Sequence, residues 1–175
     1  MKKIITLILL AFSLSAAIGC KNDKASVQTE SSYPETEKNA IFAVADKFHT
    51  AFKTKKSQDI KALIVENGFY MGTDPEEVFN PTAFEKYLLE KLTNPAIGTI
   101  DYKIDRREVN IAENGQSAVL VDQFTPIAFT QYIPWRMTSH LIKKDGLWKF
   151  DFISLSMTPK NDVLPAVNMA AFQEQ

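Results

Sequence analysis

Apolar side chains recur at helical spacing through the first half of this chain and at strand spacing through the second. Ile41, Val44, Ala45, Phe48 and Phe52 stand at i, i+3, i+4, i+7 and i+11, the stripe of an amphipathic helix. Glu35 and Glu37 near its start suit the positive end of the helix dipole, and Lys53, Lys55 and Lys56 suit the negative end. Ser57 is placed to cap a short second helix carrying Ile60, Leu63 and Ile64. Asn80-Pro81 reads as a cap followed by proline at the first helical position. Phe84, Tyr87, Leu88 and Leu92 then make the buried stripe of a third helix.

From Gly98 the period changes to two. Ile100, Tyr102 and Ile104 alternate, and Val109 and Ile111 alternate on the opposite parity. The switch predicts a bulge near Arg106-Arg107 that restores which face points inward. Asn114-Gly115 is the strongest hairpin signal, leading into a long β-rich segment over residues 117–129 that Pro126 bends or confines to an edge. Residues 132–143 form the next strand, Asp145-Gly146 a second hairpin turn, and residues 147–157 the last strand. Helices first and a meander afterwards predict an α+β domain: three N-terminal helices packed on one face of a curved antiparallel sheet.

Three segments carry a resemblance. They are Gly72-Thr73-Asp74-Pro75-Glu76-Glu77 with the helix at 80–92, then Arg136-Met137-Thr138, then the run from Leu141 through the Asp145-Gly146 turn to Trp148-Lys149-Phe150. Together they resemble SnoaL-like domains of the nuclear-transport-factor-like superfamily over residues 36–159. The resemblance implies a cystatin-like cone with a pocket between helices and sheet, and homodimers made through the sheet. Some members are cyclases or isomerases, and fold alone does not choose among functions. Related sequences often carry a histidine in the last strand, where Asp151-Phe152-Ile153-Ser154-Leu155-Ser156 has none.

The N-terminus bears on where the domain works. Lys2 and Lys3 precede an apolar run broken only by Thr6, Ser13 and Ser15, the length of a signal-peptide core and short for a membrane span. The run ends in Ala16-Ala17-Ile18-Gly19-Cys20, which resembles the lipobox of bacterial lipoproteins, although Ala17 stands where leucine is usual. The expectation is a signal peptide at 1–19, a lipidated Cys20, a flexible linker to residue 35, the domain at 36–159 and a tail at 160–175. Residues 21–34 are too polar to fold alone and would hold the domain roughly 20 Å, at most about 50 Å, from the bilayer. Lipid on Cys20 makes the membrane a partner, in a bacterial cell envelope and at the outer membrane.

Composition narrows the partners. The formal charge is −1, and about −3 once Lys2 and Lys3 leave with the signal, so no basic stripe attracts nucleic acid. Cys20 is the single cysteine, which leaves stability to a packed core; twelve phenylalanines, five tyrosines and two tryptophans supply it. No cysteine–histidine cluster, glycine-rich phosphate loop or nucleophile elbow is present, so neither metal nor cofactor is expected.

Candidate chemistry rests on a few side chains. His140 is in phase with Arg136, Thr138 and Ile142; facing a pocket it would serve as acid or base, and a half-exposed strand histidine explains it as well. Asp122 interrupts Val119-Leu120-Val121; in an apolar pocket its pKa would rise and fit it to abstract a proton, while on a polar strand face it would be ordinary. Arg136 is suited to clamp a carboxylate or form a surface ion pair. Tyr70, Tyr102, Trp135 and Phe152 are candidates for an aromatic pocket wall or for core. Asp74, Glu76 and Glu77 read as turn chemistry before a helix, and His49 as a surface histidine. The tail, with Leu164, Val167, Met169 and Phe172, closes over the pocket, joins a dimer interface or frays. Two functions follow. One is an envelope module that takes a small apolar ligand or a protein partner. The other is a cyclase- or isomerase-type enzyme with Asp122 or His140 as base and Tyr70 or Arg136 polarising a carbonyl.

Overall fold

The structure, a computed structural model, describes residues 34–173. The expected signal peptide, Cys20 and the expected linker as far as residue 33 lie outside the described residues. The elements run α1 (Glu35–Lys53), α2 (Ser57–Lys61), β1 (Ile64–Met71), β2 (Val78–Phe79), α3 (Pro81–Thr93), β3 (Ile104–Ile111), β4 (Ser117–Phe124), β5 (Trp135–Lys144), β6 (Leu147–Met157) and α4 (Leu164–Gln173). This is an α+β, cystatin-like fold in which the helices pack on a curved six-stranded sheet of order β2-β1-β6-β5-β4-β3.

The three predicted helices form, but α2 ends at Lys61, so of the residues expected on it only Ile60 is helical and Ile64 opens β1. In α1 the buried face is Ile41, Ala45, Phe48, His49 and Ala51, with Glu35 and Glu37 in the first turn. Its C-terminus closes with Lys55 at φ 59°, while Lys56 N donates to Ala51 O at 2.8 Å and Lys55 N to Phe52 O at 3.2 Å. That pattern caps the last carbonyls in the left-handed conformation usually given to glycine. Ser57 is buried at the start of α2 and makes no side-chain cap. Asn80 does cap α3: its Oδ1 accepts from Ala83 N at 2.9 Å, with Pro81 first in the helix.

The sheet corrects one expectation, because it is mixed and not wholly antiparallel. β1 lies parallel to β6, with Ile64 opposite Phe150 and Tyr70 opposite Ile153. Its sequence hides it, since Glu66-Asn67-Gly68 breaks the alternation. In space residues 65–68 bulge out of the ladder between Ile64 and Phe69. Tyr70 folds under this bulge, its one hydroxyl proton shared between the carbonyls of Val65 at 3.3 Å and Phe150 at 3.1 Å. A Cβ at Gly68 would run into the Tyr70 hydroxyl, so only glycine leaves that ring its place.

The meander follows the predicted turns. Gly115 has φ 65°, and Asp145 and Gly146 have φ 53° and 77°, the paired left-handed residues of a two-residue hairpin. The bulge falls between Ile104 and Arg106, so Arg107, Val109 and Ile111 share the inner face. β4 ends at Phe124, and residues 125–134 leave the sheet around buried Pro126 instead of continuing the strand. The core lies between the helices and the inner sheet face, with Tyr70, Leu120, Phe124, Met137, Leu141, Phe150 and Ile153 at its centre. α4 extends the tail as a helix whose Leu164, Val167, Met169 and Phe172 are exposed.

Candidate functional site

Two arrangements, one polar and one hollow, lie on the helix side of the sheet. The first is buried. Asp122 on β4 is fully enclosed and stands directly across the ladder from Arg107 on β3. Arg107 Nε donates to Asp122 Oδ1 at 2.7 Å and Nη2 to Oδ2 at 2.9 Å, while Nη1 reaches Asp46 Oδ1 at 2.7 Å. His49 Nε2 lies 2.9 Å from Asp122 Oδ2, and its Nδ1 lies 2.9 Å from the Tyr102 hydroxyl. The carboxylate only accepts, so Nε2 donates to it.

Burial pushes the Asp122 carboxyl up, but the hydrogen bonds and charges of His49 and Arg107 outweigh it and hold the group below the ordinary carboxylate range. Tyr102 is raised, by burial first and then by the Asp122 charge, so it stays a neutral phenol. Phe48, Phe124 and Tyr102 set their rings about His49 at centroid distances of 5.7, 5.1 and 5.6 Å. The network ties α1 to β3 and β4, and the expectation that a pocket raises the Asp122 pKa is overturned by these partners.

The second arrangement is hollow. At one end of the cone a cavity of about 260 Å³ is walled by Phe52, Phe129 and Trp135, with Leu88, Leu92 and Met157 completing the apolar lining. Phe129 stacks on Phe52 at 6.0 Å and meets Trp135 at 5.3 Å, so the 125–134 loop supplies one wall. The polar rim comes from Thr73, Glu77, Tyr87 and Lys91. Glu77 is folded back by its own loop: Oε2 accepts from the backbone N–H of Thr73 at 2.9 Å and of Asp74 at 3.2 Å, and Lys91 Nζ lies 3.6 Å from Oε1. A Cβ at Gly72 would strike the Glu77 carboxylate, which gives that glycine its reason. Asp74 Oδ1 accepts from Glu76 N at 2.9 Å, the turn chemistry expected of Asp-Pro. Tyr87 is raised by burial first, then by its hydrogen bond to Glu77 and by the charges of Glu77 and Asp74.

One buried donor stands out. The Nε1 of Trp135, a residue 7% exposed, has no hydrogen-bond partner among the described residues. Trp148 makes the contrast, since its Nε1 donates to Glu37 Oε2 at 3.0 Å. A buried donor without a partner costs about 1–3 kcal/mol. Ser139 Oγ, deeper on the inner face, is the other such atom.

The sequence-predicted residues divide between the faces. Tyr70 is sealed in the core, Tyr102 belongs to the His49 network, and Trp135 lines the cavity. His140, Arg136 and Phe152 lie on the outer face of the sheet. There His140 Nδ1 is 2.7 Å from Asp151 Oδ1, Arg136 Nη2 donates to Gln123 at 3.3 Å, and Phe152 stacks on Phe69 at 6.4 Å. Asp122 and His140 therefore point to opposite sides of the sheet. His49, expected at the surface, is 4% exposed. Its signal was available: it stands four residues after Ala45 and three before Phe52, on the buried stripe. Arg107 was also missed, although it shares parity with Val109 and Ile111 beyond the predicted bulge.

Helices packed on a curved mixed sheet define the cystatin-like, NTF2-like fold class. The profile of the SnoaL-like domain matches residues 41–159, and this chain belongs to that family. Solved structures agree on the fold. An NTF2-like protein of unknown function from Pseudomonas putida KT2440 superposes with TM-score 0.62 at 12% identity, covering 74% of this chain and 92% of its own. A cystatin-like fold protein of unknown function from Nostoc punctiforme gives 0.60 at 13% identity, covering 75% and 98%. A cystatin-like fold protein from Burkholderia xenovorans gives 0.59 at 15%, covering 71% and 94%. Among curated proteins none matches this chain.

Proposed function

We propose that this chain is a lipoprotein of the bacterial cell envelope, tethered to the outer membrane through lipid on Cys20, whose SnoaL-like domain binds a small, largely apolar ligand at the mouth of its cone. The observation that carries the reading is the cavity of about 260 Å³ between Phe52, Phe129 and Trp135, beside a polar interior whose groups are already tied to one another. Concave, mostly apolar hollows with a few fixed polar groups are the form that small-molecule sites take.

Nothing supports Asp122 as the base of a cyclase or isomerase. Both its oxygens are engaged by Arg107 and His49, and its pKa moves away from neutrality. His140 shares no cavity with it. The outer sheet face, with Phe69 47% and Val119 44% exposed, supports a homodimer as the second element of the proposal.

Native mass spectrometry of the protein purified from its own host tests these elements together. The expected spectrum shows an acylated N-terminal Cys20, a bound small molecule retained at low collision energy and a mass of two chains. A Cys20→Ser variant is expected to leave the membrane fraction. A mass of bare polypeptide, with no adduct and no acylation, would overturn the reading.

A further inference from the structure

We propose that α4 docks in the lipid bilayer, lying within one leaflet and turning the 125–134 end of the domain toward the membrane. The inference deepens the proposed function and rests on its lipid anchor. From Val163 to Gln173 the chain has no Asp, Glu, Lys or Arg. At helical spacing Leu164, Val167, Met169 and Phe172, with Ala166 and Ala170 between them, put apolar groups on every side of α4. Yet every residue from Lys160 to Phe172 is exposed, Phe172 at 72%. A helix apolar all round is stable only when covered.

The shape of that surface favours lipid over protein. A second chain would cover one flank of α4 and leave the others in water, whereas acyl chains close round the whole helix. Its ten residues rise about 15 Å, half of the roughly 30 Å hydrocarbon layer, so it fits one leaflet without crossing. The neighbouring loop continues the surface. Thr158 holds the Pro134 carbonyl through its N–H at 2.8 Å and its hydroxyl at 2.9 Å. The loop fixed there exposes Ile127 and, at 84%, Tyr132, a residue type suited to the membrane interface.

The tether is long enough for this orientation. The described chain begins at the other end of the sheet, where Glu37 accepts from Lys143 and Trp148. The eleven residues of β6 span about 36 Å between the two ends. Residues 20–33 reach at most about 50 Å, which covers that length.

The test uses the full acylated chain, reconstituted into vesicles of phosphatidylethanolamine and phosphatidylglycerol. Cys20 is the single cysteine and carries the lipid, so Met169→Cys and Leu147→Cys each accept one thiol-reactive fluorophore. Both positions are exposed, and Leu147, at the β5–β6 turn, is the control at the opposite end. The label at position 169 is expected to be quenched by a nitroxide on lipid acyl chains, and shielded at least fivefold from aqueous iodide relative to that at 147. Combining Leu164→Ser, Val167→Ser and Phe172→Ser is expected to abolish the shielding while the lipid keeps the chain on the vesicles. The comparison of the two labels stands even where that combination alters folding. Iodide reaching both labels equally, on a chain of acylated mass, overturns the docking and leaves the anchor. Shielding from iodide without quenching by the lipid nitroxide places a second chain over α4 and overturns it as well. A chain bearing no acyl group overturns both.

Discussion

Arg107 grips Asp122 with two parallel hydrogen bonds, at 2.7 and 2.9 Å, between residues directly opposite each other on neighbouring strands. The carboxylate is fully buried and the guanidinium side chain only 14% exposed. Removing one member of such a pair leaves the other desolvated without compensation. Asp122→Ala is therefore expected to cost about 3–5 kcal/mol of folding stability. Urea denaturation followed by far-UV circular dichroism checks it. A loss below about 1 kcal/mol would place Asp122 among ordinary surface ion pairs.

The same carboxylate sets an acid limit. Asp122 and Glu37 are both held below the ordinary range, Glu37 by hydrogen bonds from Lys143 and Trp148. A carboxyl that is lower in the folded state binds fewer protons there than in the unfolded chain. Its stabilisation is complete above the unfolded value near about 4, and fades as pH falls through the lowered folded value. Stability is expected to be level between neutral pH and about 5, and to fall below about 4. Asp122→Asn should flatten that fall. Stability that increases on acidification from neutral pH would contradict the direction assigned to Asp122.

Gly146 and Gly98 separate backbone conformation from space. A Cβ at either meets nothing within 4 Å, yet only Gly146 has positive φ, at 77°. Gly146→Ala is expected to cost about 1–2 kcal/mol through the left-handed penalty. Gly98→Ala is expected to be neutral or to stabilise by up to about 1 kcal/mol, by restricting the unfolded chain. Denaturation midpoints of the two variants side by side decide it.

Asn80 gives a local test of α3, the helix that carries Tyr87, Leu88 and Lys91 to the cavity. Asn80→Ala removes the Oδ1 acceptor of the Ala83 N–H and should cost about 1 kcal/mol. Hydrogen exchange is expected to quicken in the first turn of α3 and to stay unchanged in β4 and β5.

Legibility followed the range of the interactions. The α1 stripe, the Asn80-Pro81 start of α3, the turns at Gly115 and Asp145-Gly146 and the bulge before Arg107 depend on neighbours a few positions away, and each stands in the sequence. β1 was hidden because its partner β6 follows some eighty residues later, and because the bulge at 65–68 erased its alternation. Asp122 looked like an exposed residue because Val119 and Val121 put apolar side chains on the outer face too, blurring which parity points inward.

By itself the sequence determined an α+β chain with helices before a meander, its turns, and the aromatic stock of its core, since periodicity and turn chemistry are written in adjacent residues. Only the tertiary structure decided that His49, Tyr102, Arg107 and Asp122 meet, that His140 faces away from them, and that Trp135 keeps a buried N–H with no partner among the described residues. Those outcomes depend on how helix and sheet dock. A contact between residues 49 and 122 exists only once the elements bearing them are packed together.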